Sequence, residues 1–118
     1  HKTAPPPERT VKFASGNQQV IEDGLHAAAQ SPGGTSYDVF GSFPRTVYGK
    51  TGTAQHGAQD DQAWYVAYAP DPKRPIVIAL TIEKGGFGDQ SAAPAVRLML
   101  SQWFGITKKL VAGSSKTL

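Results

Sequence analysis

The sequence predicts an α+β fold, an antiparallel sheet flanked by helices, with three strands and two main helices in this piece. Three observations carry that prediction. Residues 45–55, 63–69 and 76–83 are β-prone runs joined by short polar turns, the pattern of an antiparallel meander. Two further stretches, one before and one after these runs, repeat apolar residues at helical spacing. Thirteen Gly and nine Pro are enough to break the chain between all of these elements.

The elements follow in order. Residues 1–14, with Pro5-Pro6-Pro7 among polar side chains, read as an extended linker. Ser15 with Gln18 fits a capping box, and Asn17 is an alternative cap for the first helix. Val20, Ile21, Leu25, Ala28 and Ala29 form its apolar face, and Glu22 and Asp23 lie near its positive end. Ser31-Pro32-Gly33-Gly34 stops it. Residues 35–44 read as a loop anchored by Tyr37, Phe40 and Phe43.

The first strand then leads into Lys50-Thr51-Gly52-Thr53. Residues 57–62, with Asp60-Asp61, read as the turn to the second strand, in which Trp64, Tyr65 and Tyr68 are expected to pack. Residues 71–75, in which Asp71, Pro72 and Pro75 favour a turn, lead to the third strand. Ile76-Val77-Ile78-Ala79-Leu80 is apolar on both faces, so this strand should be central and covered on each side. A three-stranded meander would leave it at an edge, which implies that further strands come from outside this sequence. Gly85-Gly86-Phe87-Gly88 reads as a flexible loop, and Asp89 or Ser91 as the cap of the second helix. Val96, Met99, Leu100, Trp103 and Phe104 make that helix amphipathic, and Gly105 ends it. Residues 106–118 read as a polar tail.

With 118 residues the chain is one domain or part of one. Its net charge of +3 is scattered, the only basic doublets being Lys73-Arg74 and Lys108-Lys109, which argues against a nucleic-acid partner. There is no cysteine, which excludes disulfides, thiol catalysis and cysteine metal sites. His1, His26 and His56 are too dispersed for a metal site, and no cofactor is expected. His56 reads as a solvated loop histidine. No apolar run is long enough to span a bilayer, and the start at His1 suggests a piece of something longer.

Chemistry concentrates at Lys50-Thr51-Gly52-Thr53. On a strand, Lys50 and Gly52 share one face, and Thr51 and Thr53 the other. At a sheet edge Gly52 lets a ligand approach the backbone, while the Lys ammonium and the two hydroxyls can meet a carboxylate. The plain alternative is an ordinary edge strand carrying a protective lysine.

The ordered set Gly49-Lys50-Thr51-Gly52-Thr53-Ala54-Gln55, Ala63-Trp64-Tyr65-Val66-Ala67-Tyr68-Ala69-Pro70, Glu83-Lys84-Gly85-Gly86 and Ala92-Ala93-Pro94-Ala95-Val96-Arg97 resembles the C-terminal part of the transpeptidase domain of penicillin-binding proteins. It most resembles class B members of the cell-elongation type. The likeness covers residues 17–104 and implies the penicillin-binding, β-lactamase-like transpeptidase fold. Residues 15–105 would be the C-terminal portion of that domain. The resemblance implies an enzyme that cross-links peptidoglycan stem peptides and is acylated by β-lactam antibiotics, at the extracytoplasmic face of a bacterial membrane, through an N-terminal anchor absent from this chain.

The resemblance also implies roles. Lys50 and Thr53 would be catalytic, Lys50 through its positive potential and Thr53 through a backbone N–H in the oxyanion hole. Lys50, Thr51, Gly52 and Thr53 would bind substrate. The family's Ser-x-x-Lys nucleophile motif is absent: no Ser has a Lys three residues on, and Ser42 has Arg45 there. Ser15-Gly16-Asn17 matches the family's Ser-x-Asn by letters only, at a position where a helix cap explains it. The chain would therefore need the remainder of the domain as its partner and be inactive alone. Alternatives are a D,D-carboxypeptidase or β-lactamase of the same fold, or a non-enzymatic penicillin sensor or stem-peptide binding module.

Overall fold

A computed structural model of the chain describes residues 9–56 and 59–114. The elements run α1 (Asn17–Gln30), α2 (Tyr37–Phe40), β1 (Tyr48–His56), β2 (Gln59–Ala69), β3 (Ile76–Ile82) and α3 (Ala92–Phe104). The strands form one antiparallel sheet in the order β1-β2-β3, as the short polar connections require. Asp60 and Asp61 belong to β2, so from residue 59 on the expected turn over residues 57–62 is strand instead; residues 57–58 lie outside the described residues.

Alternation along the strands decides the layers. Ala63, Tyr65, Ala67 and Ala69 of β2 are buried, and their partners Ile82, Leu80, Ile78 and Ile76 on β3 are half-buried. This face packs on α3 through Val96 and Leu100, and Phe40 of α2 stacks on Tyr65. Trp64, Val66 and Tyr68, on the opposite face of β2, are exposed, so only Tyr65 of the expected aromatic trio is core. The reason is register: Tyr65 points to the helices, its neighbours away from them.

β3 lies at an edge, not between covered layers. Its residues alternate half-buried and exposed, and Val77 is 65% exposed. The described chain supplies no strand beyond β3 and no layer over the face that carries Val77, which is what its two apolar faces anticipated for a meander of three.

The helix caps differ from expectation. Gly16, at φ +86°, takes the N-cap of α1, and no side chain caps it. Ser15 therefore lies outside the helix. Glu22 and Asp23 fall beyond the first turn and accept hydrogen bonds from Gln18 (2.9 Å) and Gln19 (2.8 Å) instead. Val20 and Ile21 stay exposed, and Ala29 alone of that face is buried. In α3 Ser91 holds the N-cap position, but its Oγ donates to Gly85 O (2.8 Å), so neither it nor Asp89 caps the helix. The buried face of α3 carries Val96, Arg97, Leu100 and Ser101, whereas Met99 and Trp103 are exposed. Ser101 satisfies its hydroxyl on Arg97 O, and Arg97 donates to Val39 O while lying 5.1 Å from the Phe43 ring centroid.

Candidate active site

β1 is the other edge of the sheet: among the described residues only β2 pairs with it. Lys50, Thr51, Gly52 and Thr53 sit opposite Val66, Tyr65, Trp64 and Ala63. All four expected site residues thus lie in regular strand along an open edge. Lys50 and Thr53 are exposed, and Thr51 and Gly52 are half-buried.

Adjacent residues on a strand diverge, yet the long lysine stem brings Lys50 back to Thr51. Its Nζ donates to Thr51 Oγ1 at 3.0 Å and to Thr51 O at 3.2 Å. An ammonium and a hydroxyl are therefore held together at the edge, the arrangement needed to meet an anionic oxygen. Gly52 places no side chain between these groups.

What holds this stretch in place was not evident as a site from the sequence. Gly88 packs directly on the backbone of the motif: a Cβ there would lie 2.3 Å from Trp64 O, 2.7 Å from Gly52 O and 3.1 Å from Gly52 N. The Gly-rich loop is thus a buried wedge at Gly88, which leads into α3 through Ala93 N–H donating to Gly88 O (2.8 Å). Gly49 is the second clamp. A Cβ on Gly49 would lie 2.3 Å from the Tyr65 hydroxyl, which itself hydrogen-bonds Ser36 Oγ at 2.8 Å. Tyr65 also stacks on Phe40, with ring centroids 5.3 Å apart. Burial pushes the Tyr65 phenol up to about 12, the Ser36 hydrogen bond opposing this only in part.

The entry to β1 is fixed by one side chain. Gln30 Oε1 accepts from Val47 N–H at 2.8 Å, and its Nε2 donates to the carbonyls of Phe40 (3.2 Å), Phe43 (3.3 Å) and Arg45 (3.0 Å). Nothing in the local sequence marks Gln30, because its partners are ten or more residues away. Tyr48 sits between the rings of Tyr68 (5.8 Å) and His26 (5.9 Å).

Ser15 and Asn17 are exposed at the start of α1. His56 is the last residue of β1, and its side chain lies outside the described residues. Among the described residues no group of three or more His, Cys, Asp or Glu side chains could hold a metal ion, and no helix is long and apolar enough to cross a membrane.

Residues 2–101 match the family described as the penicillin binding protein transpeptidase domain. The peptidoglycan D,D-transpeptidase MrdA of Salmonella typhimurium is 28% identical over 113 residues, covering 83% of this chain and 18% of the relative. MrdA of Escherichia coli K12 is 28% identical over 118 residues, covering 87% of this chain and 17% of the relative. The chain thus spans less than a fifth of the length of these relatives. The crystal structure of Pseudomonas aeruginosa PBP2 in complex with WCK 5153 superposes with a TM-score of 0.76 at 26% identity, covering 98% of this chain and 26% of that one.

Proposed function

Because the chain belongs to the penicillin-binding protein transpeptidase family, we propose that it is the Lys-Thr-Gly wall of the active site of a class B, cell-elongation-type serine D,D-transpeptidase. The reaction is acyl transfer. A serine hydroxyl attacks the carbonyl of the D-Ala-D-Ala bond of a stem peptide. The terminal D-Ala leaves with a proton, and the acyl group passes to an amine of a neighbouring stem peptide. β-Lactams acylate the same serine. The single observation that carries this reading is the Lys50-Thr51-Gly52-Thr53 strand at an open sheet edge, with Lys50 Nζ 3.0 Å from Thr51 Oγ1.

In this reading the peptide lies extended along β1 as an added strand. Thr51 and Thr53 receive its terminal carboxylate, and Lys50 supplies the positive potential that favours it. Gly52 permits the close backbone approach, and the N–H of Thr53 is one donor to the developing oxyanion; losing such a donor costs about a hundredfold or more in rate. The nucleophile comes from a segment outside this sequence, since no Ser here has a Lys three residues on. That segment, the remainder of the transpeptidase domain, is also the partner that would cover the exposed face of the sheet and extend it beyond β3. The membrane anchor and the extracytoplasmic location belong to the same proposal.

A fluorescent penicillin tests it. The chain alone stays unlabelled after denaturing electrophoresis, and a covalently labelled chain overturns the placement of the nucleophile elsewhere. In the complete domain, Lys50→Ala slows acylation by about a hundredfold or more, the scale of losing one preorganised electrostatic group. An unchanged acylation rate removes Lys50 from the site.

A further inference from the structure

The basic residues are scattered in sequence, but the fold gathers three of them. Arg45 precedes β1, and Lys73 and Arg74 lie in the turn between β2 and β3. With Asp71, Pro72 and Phe104 they line a pocket of about 410 Å³. Each arginine lies against an aromatic ring at the end of α3, Arg45 Cζ 5.6 Å from the Phe104 centroid and Arg74 Cζ 4.9 Å from that of Trp103. Stacking holds a guanidinium by its face and leaves its N–H edge for a ligand.

The turn is fixed before any ligand arrives. Arg74 N–H donates to Asp71 Oδ1 at 3.0 Å, and Arg74 O accepts from Trp103 Nε1 at 3.0 Å. Lys73 N–H also donates to Asp71 Oδ1, at 2.9 Å. Asp71, the one acid in the lining, is thus engaged by the turn and by Arg45, whose Nη1 lies 3.5 Å from Oδ2. Two of the last carbonyls of α3 are engaged, Gln102 O by Gly105 N–H and Ser101 O by Ile106 N–H. Three cations against one carboxylate leave two positive charges facing the pocket.

We propose that this pocket binds a phosphate dianion, held by the guanidinium edges of Arg45 and Arg74 and the ammonium of Lys73, and presented either as free phosphate or as a phosphomonoester headgroup. Two surplus charges match a dianion better than a carboxylate, and the arginine forks match its tetrahedral oxygens. Little order has to be imposed on binding, since both arginines are already stacked. The site lies outside Lys50-Thr51-Gly52-Thr53 and does not depend on the transpeptidase reading.

The two tryptophans, Trp64 and Trp103, provide the reporter. In the full chain carrying 5-fluorotryptophan, with resonances assigned by Trp64→Phe, inorganic phosphate is titrated at constant ionic strength. The Trp103 resonance shifts saturably and the Trp64 resonance does not. Arg74→Gln weakens phosphate roughly tenfold, the scale of one charged hydrogen bond. Lys73→Gln, a change at an exposed side chain, also weakens it. No shift, an equal response to acetate or chloride, or unchanged affinity in both variants overturns the site. Sedimentation with phosphatidic acid vesicles but not phosphatidylcholine vesicles, reversed by free phosphate, identifies the headgroup as the source. Phosphate binding without sedimentation identifies the free ion.

Discussion

Gly49 and Tyr65 show how far one residue can matter. The Tyr65 hydroxyl occupies the space that a Cβ on Gly49 would need, at 2.3 Å. Gly49→Ala is expected to destabilise the fold by about 1–3 kcal/mol, the usual scale of overpacking. Thermal or urea unfolding checks it, and Tyr65→Phe in the same chain should recover part of the loss by removing the clashing oxygen. The same phenol sets a pH limit. Its folded value of about 12 stands above the ordinary 10.0, so the folded state holds its proton where the unfolded state has lost it. That stabilisation is complete below pH 10 and is lost as pH rises through 12, amounting to roughly 3 kcal/mol. Urea midpoints measured from pH 9 to 12 should fall, and Tyr65→Phe should flatten that part of the curve. Gly49 was legible as part of a motif, but its steric reason was not, because Tyr65 meets it only across the sheet.

At the scale of elements, the motif strand is held by a loop more than thirty residues away in sequence. Gly88 lies on the Gly52 backbone, and its carbonyl accepts from Ala93 N–H in the first turn of α3. Gly88→Ala would set a methyl 2.3 Å from Trp64 O and push the loop off β1. In the complete domain it should lower β-lactam acylation by roughly tenfold or more, as a misplacement of about 1 Å away from the chemistry does. Wild-type acylation would show that the wedge does not position the site. The strand and helix assignments were readable because apolar period and turn residues are local signals. The caps were not. Ser15 and Ser91 have the right chemistry for caps, but a local turn, Asn17 N–H to Ala14 O, puts Gly16 at the N-cap of α1, and Gly85 O takes the Ser91 hydroxyl away from α3.

For the whole molecule, the telling feature is what remains uncovered. Trp64, Val66, Tyr68 and Val77 share one exposed sheet face, β3 presents an open edge, and Val11, Phe13, Val20 and Ile21 are exposed near α1. An open, apolar strand edge is a template for pairing with another chain. The chain alone should therefore self-associate with increasing concentration, and Val77→Lys should reduce this in light scattering. Equal association of the variant would place the contact elsewhere.

The sequence by itself determined the order of the three strands and the two long helices, the antiparallel meander, the lone Lys-Thr-Gly motif and the absence of a Ser-x-x-Lys, but it read the short helix α2 (Tyr37–Phe40) as loop. Each of these is written in neighbouring residues or in a period of two or about four. The tertiary structure alone decided that Gly49 and Gly88 clamp the motif, that Gln30 fixes the entry to β1, and that Arg45 and Arg74 converge on one pocket. Those facts depend on which residues the register and the helix packing bring together across long sequence separations, and no local pattern encodes that.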